Sequence, residues 1–137
     1  MIYLDRYGWS ARVFYESSPR DAEDILEDLE LIECDEGSMN QCISNLTRWS
    51  PNTGLTYSNV RLKASVVVIS RTTSASEFVS TFDHEKMHLA MHIAGTMCID
   101  VLSEEFAYLV GEIGRQMYKV AKKYMCECCR KKRSIAS

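Results

Sequence analysis

The segment Phe82-Asp83-His84-Glu85-Lys86-Met87-His88-Leu89-Ala90-Met91-His92 holds every histidine of the chain within nine residues. Its apolar and polar residues sort cleanly only at helical spacing. At 100° per residue, Phe78, Phe82, Leu89 and Ile93 fall on one side, with Val79 and Ala90 flanking them. Thr81, His84, His88 and His92 fall on the other, with Glu85 at the border. The segment therefore has to be a helix that buries one stripe and presents a stacked histidine row on the opposite one. A fold that contains it must supply an apolar layer for the first stripe and leave the second accessible.

On that helix His84 and His88 lie one turn apart, about 6 Å along the axis and about 40° around it. Both imidazoles can reach one tetrahedral Zn2+, with Glu85 beside the open position where a water would sit. His92 is a weaker ligand for the same ion, because it lies about 12 Å from His84 along a straight axis. It belongs at the edge of the site, hydrogen-bonding a ligand or substrate. The longer H-E-x-x-H-x-x-G-x-x-H pattern is not met, since Met91 stands at the Gly position and the third His comes two residues early.

The remaining chain supplies the layers. Ile2-Tyr3-Leu4 and Arg12-Val13-Phe14-Tyr15 read as two short strands joined around Gly8. Ser18-Pro19 opens a helix with Ala22, Ile25, Leu26, Leu29 and Ile32 on its buried face and a solvated acidic face opposite. A weaker helix spans Ser38 to Trp49, and Pro51-Asn52-Thr53-Gly54 is a turn. Leu55 to Tyr57 is a short strand. Ala64 to Ser70 is a strong one, whose run Val66-Val67-Val68-Ile69 predicts burial on both faces. Ser74 or Ser76 caps the motif helix, which the pattern ends near Gly95. Ser103-Glu104-Glu105 opens a last long helix to about Tyr124.

With 137 residues, 46% of them apolar and 26% charged, the chain has the makings of one globular domain over residues 1–125. Residues 126–137 form a Cys-rich basic tail, within which Arg130-Lys131-Lys132-Arg133 reads as a solvated, frayed end. The net charge of −3 and the absence of an aromatic platform argue against a nucleic-acid partner. No apolar run reaches the roughly 20 residues that span a bilayer, and Met1 to Ser10 lacks the apolar core of a signal peptide. These features predict a cytoplasmic protein with its six cysteines reduced. Cys126 and Cys129 have the spacing of half a structural zinc site, a possible second metal centre.

For a third ligand to His84 and His88 the last helix offers Glu104, on the flank of a small-residue stripe formed by Ala107, Gly111 and Gly114. If the motif helix packs on that stripe, Glu104 can face the two histidines. Glu105 and Glu112 are weaker candidates. The alternative is that Glu104 and Glu105 simply favour the positive end of their helix dipole.

His84-Glu85-x-x-His88 followed by Glu104-x-x-Ala107 resembles the zincin metallopeptidases of the gluzincin type. It is also similar to small zincin-like proteins of phages and bacterial mobile elements. The resemblance covers Ala64 to about Tyr124, and it departs from the larger members where Tyr108 replaces the usual Asp or Asn. It implies an α+β, zincin-like fold, a short mixed sheet against three to four helices with the motif on a central one. It implies Zn2+ on His84, His88 and Glu104, Glu85 as general base in hydrolysis of a peptide or protein substrate, and Tyr108 or His92 as oxyanion donor. An edge strand that pairs with extended substrate is expected within Leu62 to Ser70, with Ser70-Arg71-Thr72-Thr73 as a cleft rim. The competing expectation is a zincin-like metal-binding or interaction protein without hydrolytic activity, to which the intact Glu85 is opposed.

Overall fold

The computed structural model describes residues 1–136, with side chains to residue 131. Four strands form one mixed sheet: β1 (Ile2–Leu4), β2 (Trp9–Ser17), β3 (Gly54–Asn59) and β4 (Ala64–Ser70), in the order β1-β2-β4-β3. β1 and β3 are antiparallel to their neighbours, while β2 and β4 run parallel. Five α-helices accompany them among the described residues: α1 (Ala22–Leu31), α2 (Glu36–Arg48), α3 (Ala75–Met97), α4 (Glu104–Ala121) and α5 (Glu127–Ala136). The protein is thus α+β, and no described helix is long and apolar enough to cross a membrane.

β4 shows why the sheet is covered on both sides. Val66 and Val68 join Ile25, Leu29 and Cys42 in a core under α1 and α2. Val67 and Ile69 point the other way, into a larger core with Phe78, Phe82, Leu89 and Ile93 of α3 and Phe106, Leu109, Ile113 and Met117 of α4. The β-branched run therefore feeds two cores by alternation alone. The apolar stripe of the motif helix is buried, as its periodicity requires, and the histidine row is left on the rim.

The helix ends follow their caps. Asp35, Ser74 and Ser103 each accept from the backbone N–H three residues on, Ser38, Glu77 and Phe106 respectively. α3 does not stop at Gly95; it runs to Met97, and Cys98 takes the left-handed position (φ 57°) that ends it. Gly95 is an exposed interior residue of the helix, so the stop signal read from it is overridden by two further helical residues.

Two side chains of the C-terminal segment, Glu127 and Arg130, are tied to the domain. Glu127 accepts a 2.6 Å hydrogen bond from the Ala75 N–H, at the first turn of α3. Arg130 reaches Glu16 (2.8 Å) and the Thr72 carbonyl (2.7 Å) from a largely buried position. Glu16 sits in the left-handed region (φ 48°) where the β2–β4 register slips between Phe14 and Ser17. This bulge turns the Glu16 carboxylate towards Arg130 and Thr72, whose N–H and hydroxyl also bond to it. The tail thereby braces the start of the motif helix against the sheet.

Candidate metal centre

His84 and His88 are exposed on α3, and their Nε2 atoms lie 3.1 Å apart. The rings meet edge to face at 4.7 Å between centroids. Two nitrogens bound to one tetrahedral zinc at 2.0–2.1 Å would be about 3.3 Å apart, so the rotamers present already bring both donors to a common point. His92, one turn on, has its ring centroid 6.3 Å from that of His88. Its Nδ1 is engaged by the Ser58 hydroxyl at 2.7 Å. Burial and the neighbouring His88 lower its pKa below the usual histidine value.

Glu85 turns the other way, under the edge of the sheet. It is only 4% exposed, and its Oε1 accepts from the Thr56 hydroxyl at 2.9 Å. Gly54 makes this position possible. A Cβ there would fall 2.6 Å from Glu85 Oε2, 2.7 Å from its Cγ and 2.7 Å from the Val68 carbonyl oxygen. The residue read from sequence as a turn glycine is the floor on which the carboxylate rests. Beside it opens a cleft of about 330 Å³ lined by Asn52, Thr53, Gly54, Ser80, Thr81, His84 and Glu85. Sequence reasoning had no signal for Asn52, Thr53 or Thr56 beyond their places in a turn and in the short strand that follows it.

The open edge is β3, not the Leu62 to Ser70 segment. β4 lies between β2 and β3 and has no free side, because the parallel β2–β4 pairing places it inside the sheet. Thr53 directs its carbonyl to the Ser70 N–H (3.0 Å) and its own N–H to Ser70 Oγ (3.0 Å). Alternation then aims the backbone groups of Gly54, Thr56 and Ser58 outward, while the side chains of Thr56 and Ser58 meet α3. The opposite edge is closed: Gln116 accepts from the Tyr3 N–H at 2.9 Å and donates to the Tyr3 carbonyl at 2.6 Å. The expected rim is also displaced. Thr72 is buried under Arg130, and Thr73 acts on the cleft only by bonding Asn52.

Glu104 is not brought to the histidine pair. Among the described residues no group of three or more His, Cys, Asp or Glu side chains is placed to hold one metal ion. The cause is the flank on which α4 packs. Gly114 of α4 lies against Lys86, 3.6 Å from its Cδ and Nζ to a Cβ position. His84 points about 160° away from Lys86 around α3. Glu104 lies ten residues before Gly114, about 15 Å back along α4. The stripe expected to form the seam is largely exposed, with Ala107 and Gly111 facing solvent and only Gly114 in contact. Glu105 accepts from Tyr7 (3.1 Å) and pairs loosely with Arg6. Glu112 is engaged by Arg115 and Gln116, which hold its carboxyl down at about 2. Tyr108 is 69% exposed in a separate groove beside Tyr3, Arg6 and Tyr7. Cys126 and Cys129 are exposed thiols, and they too belong to no such group.

What the arrangement brings together is therefore His84, His88 and Glu85, with His92 alongside through Ser58. Searches of family models, of curated proteins and of solved structures return no match to this chain.

Proposed function

We propose that this chain is a zinc-dependent peptidase whose metal is held by His84 and His88 and whose general base is Glu85. The observation that carries the reading is the convergence of the two Nε2 atoms at 3.1 Å, next to a carboxylate walled into the adjacent cleft. Zinc bound to such imidazoles lowers the pKa of its water towards about 7. The chain's own residues would do the rest. Thr56 fixes Oε1 of Glu85, leaving Oε2 to take a proton from the attacking water and return it to the leaving nitrogen. An extended peptide would add antiparallel or parallel to β3, through the outward backbone groups of Gly54, Thr56 and Ser58. That places its carbonyls across the cleft between β3 and α3.

Zinc stoichiometry is the first test. The wild type should bind one equivalent, His84→Ala and His88→Ala none, and Glu104→Ala one. A metal-free wild type under zinc excess, or an unchanged His84→Ala, would sink the reading. Hydrolysis of unfolded casein should then separate Glu85→Gln, which keeps zinc and loses activity, from the wild type.

A second reading has its own observation. With no third protein donor beside the pair among the described residues, the site also suits a metal-binding interaction protein that does not hydrolyse peptides. Zinc binding with no casein cleavage in either wild type or Glu85→Gln would favour it.

A further inference from the structure

A line of four polar side chains crosses the sheet beneath this site. It starts at Trp9 on β2, whose indole Nε1 donates to Ser65 Oγ on β4 at 2.9 Å. Ser65 Oγ meets Ser58 Oγ on β3 at 2.6 Å, and Ser58 Oγ meets His92 Nδ1 on α3 at 2.7 Å. Trp9 and Ser65 are 1% and 2% exposed, so each polar atom in that stretch depends on its protein neighbours.

The chemistry of the first donor sets the direction of the whole line. An indole N–H can only donate, so Ser65 Oγ must accept from it. Ser65 keeps one hydroxyl proton, and its other bonded neighbour among the described residues is Ser58. If Ser58 donated to Ser65 instead, the Ser65 proton would be stranded in the core, at a cost of about 1–3 kcal/mol. Ser65 therefore donates to Ser58, and Ser58 spends its own proton on His92 Nδ1. Every bond then points the same way, from the core to the rim. A neutral His92 whose Nδ1 accepts must carry its proton on Nε2.

We infer that the Trp9–Ser65–Ser58 line fixes His92 as the Nε2–H tautomer, making it a hydrogen-bond donor beside the cleft rather than a metal ligand. Ligation through Nε2 would require that proton to move to Nδ1 and the Ser58–His92 bond to reverse, leaving one serine hydroxyl proton of the line without an acceptor. The acceptor it suits is an uncharged oxygen, such as the carbonyl of a peptide lying along β3. Ser58 has its side chain in the line and its backbone on the open edge, so strand addition and donor position share one residue. The identity of the acceptor rests on the peptidase reading; the tautomer does not.

The test is nitrogen NMR of the three imidazoles in metal-free protein at mildly alkaline pH. His92 should show a protonated Nε2 and an acceptor Nδ1. Ser58→Ala should release it to a mixture of tautomers without loss of fold, and Ser65→Ala should weaken the bias in the same direction. Added zinc should shift His84 and His88 and leave the His92 Nε2 proton in place. Nδ1–H in the metal-free wild type, or loss of the Nε2 proton on zinc addition, would overturn the inference. If zinc moves none of the imidazoles, the metal reading fails while the tautomer result still stands or falls on its own. With zinc bound and casein as probe, His92→Ala should lower kcat/KM by about tenfold to a hundredfold at unchanged zinc content. His92→Gln, which restores an N–H, should recover most of that loss; equal losses in both would reduce His92 to a structural strut.

Discussion

Gly54→Ala tests the placement of Glu85 without reference to any reaction. The new methyl would lie 2.6 and 2.7 Å from the Oε2 and Cγ of Glu85 and 2.7 Å from the Val68 carbonyl oxygen. Real Cβ contacts are not that short, so something has to move. The Val68 oxygen belongs to the central strand and can give little, whereas Glu85 is a side chain with one hydroxyl partner, Thr56. Overpacking of this kind costs about 1–3 kcal/mol. At about 4 °C per kcal/mol for a domain of this size, Tm should fall by about 4–12 °C. The informative measurement is a double-mutant cycle in urea. Glu85→Ala removes two of the three clashing atoms, so in that background Gly54→Ala should cost at least about 1 kcal/mol less than in the wild type. Strict additivity would refute the argument that Gly54 is kept bare for the carboxylate. So would a Gly54→Ala cost below about 0.5 kcal/mol in the wild-type background.

Other elements of the fold give equally direct expectations. Arg130→Ala should lose about 2–3 kcal/mol by chemical denaturation, because it strands the Glu16 carboxylate in a largely buried position. Arg130→Lys should restore little, since one ammonium cannot serve both Glu16 and the Thr72 carbonyl as the planar guanidinium does. Ser74→Ala removes the acceptor for the Glu77 N–H at the start of α3 and should cost about 1 kcal/mol, read as a shift in urea midpoint. Burial pushes the Tyr15 hydroxyl up to about 12 from an ordinary 10. The neutral form is thus favoured by folding: this contribution is complete below pH 10 and lost as pH rises from 10 to 12. Tyr15→Phe should flatten that alkaline limb of the stability curve, and an unchanged limb would place the titration elsewhere.

Local patterns carried most of the secondary structure. The β-branched run of β4, the caps at Ser74 and Ser103 and the two faces of α3 are all local in sequence, and the structure follows them. What the local patterns could not carry is which flank of a helix its neighbour takes. The small-residue stripe of α4 suggested one seam, but Phe106, Leu109, Ile113 and Met117 bury a larger apolar surface and orient α4 by it. The sheet order failed to declare itself for the same reason. A strand rich in Val and Ile can be an edge or a centre, and only the parallel pairing with β2 decides it. The bracing role of the tail depends on Glu16, Thr72 and Arg130, three residues brought together by a bulge that no short-range signal marks.

β4, the β3 edge and the motif helix form one unit in which Glu85 rests on Gly54 and Thr56 while the histidine row stands clear of the sheet. α4 contributes to the stability of that unit through Lys86 and the apolar core, from the flank opposite His84. Turning α4 to bring Glu104 under the histidines would expose the Leu109, Ile113 and Met117 stripe, three side chains buried to within 2% of completely. At about 1.5–3 kcal/mol for each such side chain, the turn would cost on the order of 5–9 kcal/mol, comparable to the whole stability of a domain. A single zinc–carboxylate bond does not rearrange a core of that size. Packing energy therefore holds α4 on its present flank of α3, and on the two-histidine reading proposed above Glu104→Ala should leave zinc binding unchanged.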